Sequence, residues 1–432
     1  MTAAKHLAEH PAGPGCCETT GEHLIPVDIA LEKGLAMVAP PVATERLPLM
    51  AARGRILAAG AVAPAPMPAF DNAAMDGYAV RTADLAGEPP HALALAGRVA
   101  AGDGGAEADR APNGSALRIL TGAPVPPSFD AVVMQERTRR EDGRVVLLQT
   151  PRPGLNIRRA GEDAAAGEGL LEPGRLIGAR EMAVLAAIGL AEVPVFARLR
   201  VAMFSTGSEL RQPGETLAPG QIYNSNRFTL AGMLGRPWIE LLDFGALPDR
   251  PGILAEALAR AAAEADVVVT TGGVSVGDED HMPRLVREAG GDIQAMKIAI
   301  KPGKPLTLGR LGDALYIGLP GNPVAVFVTM AVVGGPILCR RAGLEQVQPE
   351  AAAAVAGFGW RRRPGRREYL PARQVGVTDA DLPEIEAMPR TNSARIAQLV
   401  SAEGFAVIEP EVQEVSPGAR IAWLPMERLL LA

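Results

Sequence analysis

The segment from Leu199 to Cys339 constrains the fold of this chain most, because short apolar runs alternate there with helical stretches. Strand-like runs occupy 200–204, 238–244, 267–269 and 295–300, and a hairpin-like pair follows over 305–318. The stretches 225–234, 253–265 and 281–289 have helical patterns and lie between these runs. Alternation of this kind predicts a doubly wound, mostly parallel α/β sheet.

Four unusual loops follow strands of this predicted sheet. STGSEL (205–210) follows the first strand, TTGGVSVGDED (270–280) the third, KPGKP (301–305) the fourth, and GLPGNP (318–323) the second strand of the hairpin. Ligands of open α/β sheets bind outside the carboxyl ends of the strands. We therefore expect the four loops to share one edge of the sheet and to form a binding site there.

The residue types in these loops indicate an anionic, phosphate-containing ligand. Gly272 and Gly273 allow bare backbone N–H groups to approach a phosphate. Lys297, Lys301 and Lys304 place three ammonium groups around a Pro-Gly turn, where they suit a phosphate or a tetrahedral oxyanion. Lysines in surface loops otherwise serve only solubility. Neither GxxxxGKS/T nor GxGxxG is present, which disfavours a Walker-type or dinucleotide-binding site.

Acidic residues in the same loops predict a Mg²⁺ site. Glu209, Asp278 and Asp280 offer the oxygen ligands that this hard cation prefers, with phosphate oxygens and water completing its shell. Asp280 has an alternative interpretation as the cap of the following helix. The five histidines are too scattered in the sequence for a zinc site or a Ser-His-Asp triad. Lysines together with acids fit phosphoryl or nucleotidyl chemistry.

The composition and apolar pattern of the rest of the chain indicate four further regions. Residues 1–24, which are rich in Gly, Pro and His, predict a flexible tail. Residues 25–60 and 160–196 predict a helical linking domain, with one helix in IALEKGLAMV and a second in RLPLMAARGRILA. Short strands over 61–159 predict a β-rich domain. The α/β domain then covers 197–345, and 346–432 predicts a small β-barrel whose basic run, 360–374, is either functional or a solvated face.

Composition limits the class of protein. The net charge of −6 disfavours broad nucleic-acid binding, and three cysteines give no disulfide framework, which indicates a reducing compartment. The apolar segment Val324–Cys339 is shorter than the roughly 20 residues of a membrane span and contains glycine and proline, so we expect a buried helix. A soluble, cytoplasmic protein without a membrane or nucleic-acid partner is predicted.

Seven segments in fixed order resemble the molybdopterin molybdenumtransferase family, that is, the MoeA proteins and the E domain of gephyrin. They are FDNAAMDGYAVR, RILTGAPVPPSFDAVVMQE, NIRRAGED, FSTGSEL, TTGGVSVGDED, AIKPGKP and GLPGNP, and the resemblance extends over residues 25–432. It implies a molybdenum insertase that combines molybdate with adenylylated molybdopterin, assisted by Mg²⁺, and releases AMP. It also implies a MogA/MoaB-like α/β domain and a homodimer, with each cleft between the α/β domain of one subunit and the β domain of the other.

The resemblance also implies roles for individual residues. Catalytic roles fall on Asp76, Asp163, Glu209 and Asp280, and metal binding falls on Glu209, Asp278 and Asp280. Binding of the molybdopterin substrate falls on Thr121, Thr206, Gly207, Gly272, Gly273, Ser275, Lys297, Lys301, Lys304, Pro320, Gly321, Asn322, Arg366 and Ser393. The chain departs from the family at Ala73 and Ser208, where serine and aspartate are usual, and TNSAR around Ser393 replaces a more usual glycine-serine.

Two other functions remain open at this point. The α/β domain alone also resembles molybdopterin adenylyltransferases, which make the adenylylated intermediate and are a possible partner of this protein. A non-catalytic molybdopterin-binding scaffold is the second alternative. The β domains and FDNAAMDGYAVR argue against the first, and the acids at 163, 209 and 280 argue against the second.

Overall fold

The computed structural model describes residues 24–41, 43–273, 281–345, 347–389 and 394–429 of the 432-residue chain, without the side chain of Ala295. The chain forms two compact units. Unit 1 contains Met1–Ala58, Pro173–Gly178 and Val193–Ala432, and unit 2 contains Ala59–Glu172 and Ala179–Glu192. The predicted tail therefore lies outside the described residues except for residue 24.

The described residues form eight α-helices and 28 strands. The helices are α1 Val27–Ala36, α2 Ala179–Ala187, α3 Ser225–Leu234, α4 Pro251–Glu264, α5 Met282–Glu288, α6 Pro323–Thr329, α7 Gly335–Arg341 and α8 Ala397–Ser401. The first twelve strands are β1 Thr44–Pro48, β2 Ala61–Val62, β3 Asn72–Ala73, β4 Gly77–Val80, β5 His91–Val99, β6 Ser115–Ile119, β7 Ala131–Met134, β8 Thr138–Glu141, β9 Arg144–Leu147, β10 Ile157–Arg158, β11 Gly169–Leu171 and β12 Glu192–Phe196. The others are β13 Leu199–Thr206, β14 Leu210–Arg211, β15 Ile222–Tyr223, β16 Ile239–Leu247, β17 Val267–Thr271, β18 Asp292–Lys297, β19 Ile300–Lys301, β20 Pro305–Leu311, β21 Ala314–Leu319, β22 Ala352–Ala356, β23 Trp360–Arg361, β24 Arg367–Val377, β25 Pro383–Ala387, β26 Gly404–Ile408, β27 Glu414–Val415 and β28 Arg420–Pro425.

The α/β sheet of unit 1 has six strands in the order β16-β13-β17-β21-β20-β18. β13 is parallel to β16 and β17, and β17 is parallel to β21. β20 is antiparallel to both β21 and β18, so β18 runs in the same direction as the four parallel strands. The predicted mostly parallel sheet is confirmed.

Helices cover both faces of this sheet. Along β13, Val201 and Met203 pack with α1, α3, α6 and α7, whereas Ala202 and Phe204 pack with α4 and α5. The central strand β17 is buried on both faces, which explains its uniform run Val267–Val269. The doubly wound arrangement expected from the sequence is therefore present, and it leaves the ends of the strands available for loops.

The C-terminal part of unit 1 forms the small β-barrel that the sequence predicts. The strands follow the order β24-β25-β22-β28-β26, and a further pairing of β24 with β26 closes the five-stranded ring. Strand β19 joins this sheet beside β24, which connects the end of the α/β sheet to the barrel. Alanines and large apolar residues such as Leu370 and Trp423 fill its interior.

Unit 2 is built around a second six-stranded sheet in the order β7-β4-β6-β5-β9-β8. Two short ribbons, β10-β3 and β11-β2, belong to the same unit. Its core includes Leu117, Ile119 and Phe129 on one side and Tyr78 and Val145 on the other. The short apolar runs HALALAG, SALRIL, DAVVMQE and RVVLLQ, which predict strands in this region, contain β5, β6, β7 and β9 or most of their residues.

One predicted helix is wrong. RLPLMAARGRILA contains the end of strand β1, which pairs with β12, and a single 3₁₀ turn at Leu49–Ala51. Pro48 has no N–H for a helical hydrogen bond, and the buried guanidinium of Arg55 donates to Glu45 (2.6 Å) and to the carbonyl of Phe196 (2.8 Å). Tertiary partners therefore override the local helical preference.

The apolar segment near the end of the α/β domain is a buried helix, as predicted. Pro323–Arg341 is long and apolar enough to resemble a membrane span, but 83% of its most apolar window is buried inside the protein. Its middle, Met330–Gly334, is a π-helical turn between α6 and α7. The helix thus serves as core for both the sheet and α1.

Candidate functional site

The described residues of the four predicted loops lie at one edge of the α/β sheet, and for the loop after β17 these end at residue 273. Strands β13, β17, β18 and β21 run in the same direction, so their carboxyl ends point the same way. The side-chain amide of Asn226, in the first turn of α3, donates to Thr271 Oγ1 (3.2 Å) and to the carbonyl of Gly321 (2.7 Å). These two bonds tie the loop after β17 to the loop after β21.

Gly272 brings two of the loops into direct contact. Its φ of +88° favours glycine, and a Cβ atom there would lie 2.4 Å from the carbonyl oxygen of Thr206. No larger residue fits without moving the backbone of one loop. Gly273 also has positive φ, at +61°. The predicted close approach of bare backbone thus occurs at this edge, where Thr206 and Gly207 are buried.

Two carboxylates lie at the loop after β13, one from this loop and one from the loop after β16. Glu209 is exposed and curls back over Gly207, where a Cβ would lie 2.7 and 2.8 Å from its two oxygens. Asp249, which follows β16, accepts hydrogen bonds from Thr206 Oγ1 (2.7 Å) and from the backbone N–H of Ser208 (3.1 Å). Nothing in the sequence marks Asp249 as a site residue, because LPDR has the pattern of an ordinary turn before α4. It places a carboxylate beside the position where Ser208 replaces the usual aspartate.

The three predicted lysines lie close together along one segment. Lys297 ends β18, and its register partner is Pro305, directly after Lys304. Both lysines are half-buried, and the N–H of Ile298 donates to the carbonyl of Lys304 (2.8 Å). Lys301 is more exposed, and its Nζ lies 2.9 Å from Oε1 of the buried Glu368. The structure therefore brings the three lysines together on one segment, and Lys301 has an anionic partner in the barrel.

Gly303 fixes the turn of the lysine loop against α6. Its φ is +103°, and a Cβ would lie 2.9 Å from Thr329 Oγ1 and 3.5 Å from the Ala325 methyl group. Helix α6 begins directly after Pro320, Gly321 and Asn322, of which only Pro320 is buried. The lysine loop and the GLPGNP loop are consequently neighbours.

The basic run 360–374 contains both solvated and buried arginines. Arg361 is exposed and pairs with the exposed Glu414, whereas the side chain of Arg362 is only 3% exposed and pairs with Glu368. Arg366, the predicted substrate-binding residue, is half-buried and precedes β24. Only part of the basic run therefore forms a solvated face.

In unit 2, the structure pairs two predicted site residues. Asp76 Oδ1 accepts hydrogen bonds from both the backbone N–H and the hydroxyl of Thr121, each 2.7 Å long. These two bonds, the backbone one first, lower the pKa of Asp76 below its ordinary value. Asp76 is exposed and stays ionised at neutral pH, so it offers a fixed negative charge or a metal ligand rather than an acid.

Asp163 lies in a cleft of unit 2. The cleft has a volume of ≈ 700 Å³ and is lined by Met67, Pro68, Asn72, Arg158, Glu162 and Asp163. The backbone N–H of Asp163 donates to the carbonyl of Met67 (2.9 Å), and β10 of NIRRAGED pairs with β3 of FDNAAMDGYAVR. Both segments thus contribute residues to one cleft.

Two of the three departures from the family pattern, Ala73 and Ser208, lie among the described residues and have different surroundings. Ala73 is fully buried in the core of unit 2, so an added hydroxyl there would face apolar neighbours. Ser208 is exposed, and its hydroxyl accepts a hydrogen bond from the N–H of Asp249 (3.3 Å). Ser208 therefore takes part in holding Asp249 at the edge of the sheet.

Four assigned residues, Ser275, Asp278, Asp280 and Ser393, lie outside the described residues. Within the described ranges, no group of three or more His, Cys, Asp and Glu side chains could hold a metal ion. Glu209 and Asp249 are the described carboxylates at the sheet edge that offer oxygen ligands, and Mg²⁺ commonly uses one or two carboxylates plus phosphate oxygens and water.

Three family models match consecutive parts of the chain. Residues 25–189 match the MoeA N-terminal region (domain I and II), 202–340 match a probable molybdopterin binding domain, and 353–426 match the MoeA C-terminal region (domain IV). The α/β sheet and its edge thus correspond to the second model and the five-stranded barrel to the third.

Similar proteins cover nearly the whole chain. A molybdopterin molybdenumtransferase from Haemophilus influenzae is 38% identical over 94% of this chain and 100% of its own length. A second one from a Nostoc species is 36% identical over 89% of each chain. Among solved structures, a molybdopterin biosynthesis MoeA protein from Pyrococcus horikoshii matches with a TM-score of 0.79 and 27% identity, covering 93% of this chain and 100% of that one.

Proposed function

Because the chain belongs to the MoeA family of molybdopterin molybdenumtransferases, we propose that it inserts molybdate into adenylylated molybdopterin. In this reaction the phosphoanhydride bond of the adenylylated intermediate breaks and AMP is released. The protein acts in molybdenum cofactor biosynthesis and binds molybdopterin through its α/β domain. We place it in the cytoplasm, a proposal supported by the burial of Pro323–Arg341, the long apolar helix among the described residues.

One observation carries this proposal: glycine backbone, lysines and carboxylates lie at a single edge of the sheet. Gly272 and Gly273 have no side chains, so a phosphate can approach the backbone there. The loop at 301–305 brings ammonium groups to the same edge. The phosphates of the intermediate carry several negative charges, and positioned cations stabilise the charge that develops when such a bond breaks. Glu209 and Asp249 lie beside them.

Mg²⁺ fits the oxygen donors of this edge. Glu209 and Asp249 would hold the ion, with Asp278 and Asp280 as further candidates outside the described residues. The bound ion would neutralise phosphate charge. Thr206 and Ser208 orient Asp249 by hydrogen bonds, so they keep one of these carboxylates in place before the substrate arrives.

We also propose a homodimer with shared active sites. Asp76, Thr121 and Asp163 lie in unit 2, whereas Glu209 and the lysines lie in unit 1. The resemblance to MoeA proteins implies that unit 2 of one subunit completes the site of the other. In such an arrangement Asp76 and Asp163 would face the substrate from the opposite wall.

The test supplies the purified protein with adenylylated molybdopterin, Mg²⁺ and molybdate, and measures both AMP release and activation of an apo-molybdoenzyme. We expect AMP release that depends on molybdate and is lost on removal of Mg²⁺ with a chelator. Absence of molybdate-dependent AMP would contradict the insertase. Formation of the intermediate from ATP and molybdopterin would instead indicate an adenylyltransferase, and molybdopterin binding without either reaction a scaffold.

The variant Glu209→Gln examines the acidic part of the site. Because it removes a carboxylate while keeping the size of the side chain, we expect molybdate-dependent AMP release to fall about a hundredfold or more, with an unchanged melting temperature. Glu256→Gln, on the exposed side of α4 in the same domain, is the matched control and should retain wild-type turnover. Wild-type turnover in Glu209→Gln would remove this residue from the mechanism.

A further inference from the structure

A buried carboxylate of the C-terminal barrel contacts the lysine loop. Glu368 lies on β24, and its side chain is 4% exposed. Its Oε1 is 2.9 Å from Nζ of Lys301, whose side chain is 45% exposed. Lys301 therefore extends from the site edge to a partner that solvent hardly reaches, which is unusual for a lysine in a surface loop.

Backbone pairing sets this contact. Strand β19 pairs with β24 in parallel register, so that Lys301 lies opposite Glu368 and Ile300 opposite Arg367. The N–H of Arg367 also donates to the carbonyl of Ala299 (2.8 Å). Ile300 is fully buried. Because side chains alternate along a strand, this register directs Lys301 away from the core and toward the barrel residue.

The negative charge of Glu368 is neutralised without Lys301. Arg362 lies 3.5 Å from Oε2 and is itself buried, and the indole N–H of Trp360 donates to the same oxygen (3.4 Å). The other guanidinium donors of Arg362 reach the carbonyls of Glu409, Pro410 and Val412. One buried cation already neutralises the buried anion, so the cluster with Lys301 carries one positive charge in excess.

We propose that Glu368 is a positioning residue that holds the Lys301 ammonium at the edge of the sheet for an anionic oxygen of the substrate. An ammonium group has three N–H donors, so one contact with Glu368 leaves donors for a phosphate. A held lysine loses less side-chain entropy when the ligand binds than a mobile one. The inference rests on the proposed role of Lys301 in substrate binding and adds the barrel to the machinery of the site.

The test is a double-mutant cycle with Glu368→Gln and Lys301→Ala in the full-length protein. Two quantities are measured, the affinity for molybdopterin and kcat/KM for AMP release. We expect each single variant to lower the affinity and kcat/KM by about tenfold, the latter mainly through a higher KM. The double variant should have the same affinity and kcat/KM as Lys301→Ala alone. A purely structural role of Glu368 would instead give additive effects, and additivity in the binding measurement overturns the proposal.

Stability and function are separated by two further measurements. Glu368→Gln leaves buried Arg362 without its counter-ion and will lower the melting temperature, and most of this loss should persist when Lys301 is replaced by alanine. Glu414→Gln removes an exposed ion pair of the same barrel and is the control, with affinity and kcat/KM within about twofold of wild type. If the wild-type protein releases no AMP, the proposed insertase fails, and the molybdopterin-binding cycle still decides the role of Glu368.

Discussion

Asp76 shows how one neighbouring residue favours the ionised form of a site residue. The sequence makes it one of several acids in a polar segment, whereas the structure gives it two hydrogen bonds from Thr121. Because both donors favour the ionised carboxylate, the pKa of Asp76 lies below its ordinary value. Asp76 and Thr121 therefore act as one group, and a substitution at Thr121 changes the pKa of Asp76 directly.

Thr121→Val removes the hydroxyl donor but keeps the backbone donor. Since the hydroxyl stabilises the carboxylate, its loss raises the pKa of Asp76 toward the ordinary value. We expect the acid limb of the pH profile of kcat/KM to move to higher pH, with turnover at pH 7 about threefold lower. Thr121→Ser keeps a hydroxyl and should restore the profile. An unchanged acid limb in Thr121→Val would show that Asp76 does not govern it.

At the scale of the elements, an ion pair joins the amino ends of two central strands. Asp266 precedes β17 and accepts hydrogen bonds from the backbone N–H (2.9 Å), Nε (3.3 Å) and Nη2 (3.0 Å) of Arg200 in β13. Burial raises the pKa of Asp266, but the hydrogen bonds and the charge of Arg200 outweigh it and lower the pKa overall. The pair lies at the edge of the sheet opposite the candidate site.

Asp266→Asn should therefore destabilise the protein in a pH-dependent way. The folded-state pKa lies below that of the unfolded chain, so the ionised carboxylate stabilises the fold above about pH 4. This contribution is lost as the pH falls through the folded-state value. Allowing for its partial exposure, we expect a loss of about 1 kcal/mol at pH 7 that shrinks in acid. Chemical unfolding at several pH values measures it.

The control for this experiment is Asp313→Asn in the exposed turn between β20 and β21. It should change the free energy of unfolding little at any pH. A loss in Asp266→Asn that is constant from neutral to acidic pH would contradict the role assigned to its charge.

At the scale of the elements the sequence was informative, because the period of the apolar residues is a local property. Helix α3 has the bounds that SNRFTLAGML predicts, and the β-branched run at 267–269 lies within β17. The failure at RLPLMAARGRILA has a tertiary cause: β12 provides the strand partner of β1, and Glu45 and Phe196 hold Arg55. Strand β12 and Phe196 are remote from this segment in the sequence, so the local residue pattern does not reveal them.

For the whole molecule, the proposed shared site makes a complementation prediction. Asp76→Ala alters unit 2 and Glu209→Ala alters unit 1. If each site combines unit 2 of one subunit with unit 1 of another, a dimer of the two variants has one intact site and one doubly altered site. We expect heterodimers purified through two different affinity tags to show about half of the wild-type AMP release.

Each homodimeric variant should be inactive and serves as the control for this measurement. Inactive heterodimers would place the complete site within one chain and contradict the shared arrangement. A monomeric wild-type protein that is active would contradict the homodimer as well.

The sequence by itself determined the doubly wound α/β domain, the four strand-end loops, the barrel and the family. These follow from periodicity and from motifs that are continuous in the chain. Only the tertiary structure decided which groups meet: Asn226 with Gly321, Asp249 with Thr206, and Lys301 with Glu368. These partners are remote in the sequence, and strand order and register bring them together. The hydrogen bonds and burial that set the charge and position of site residues depend on those partners, so no local pattern records them.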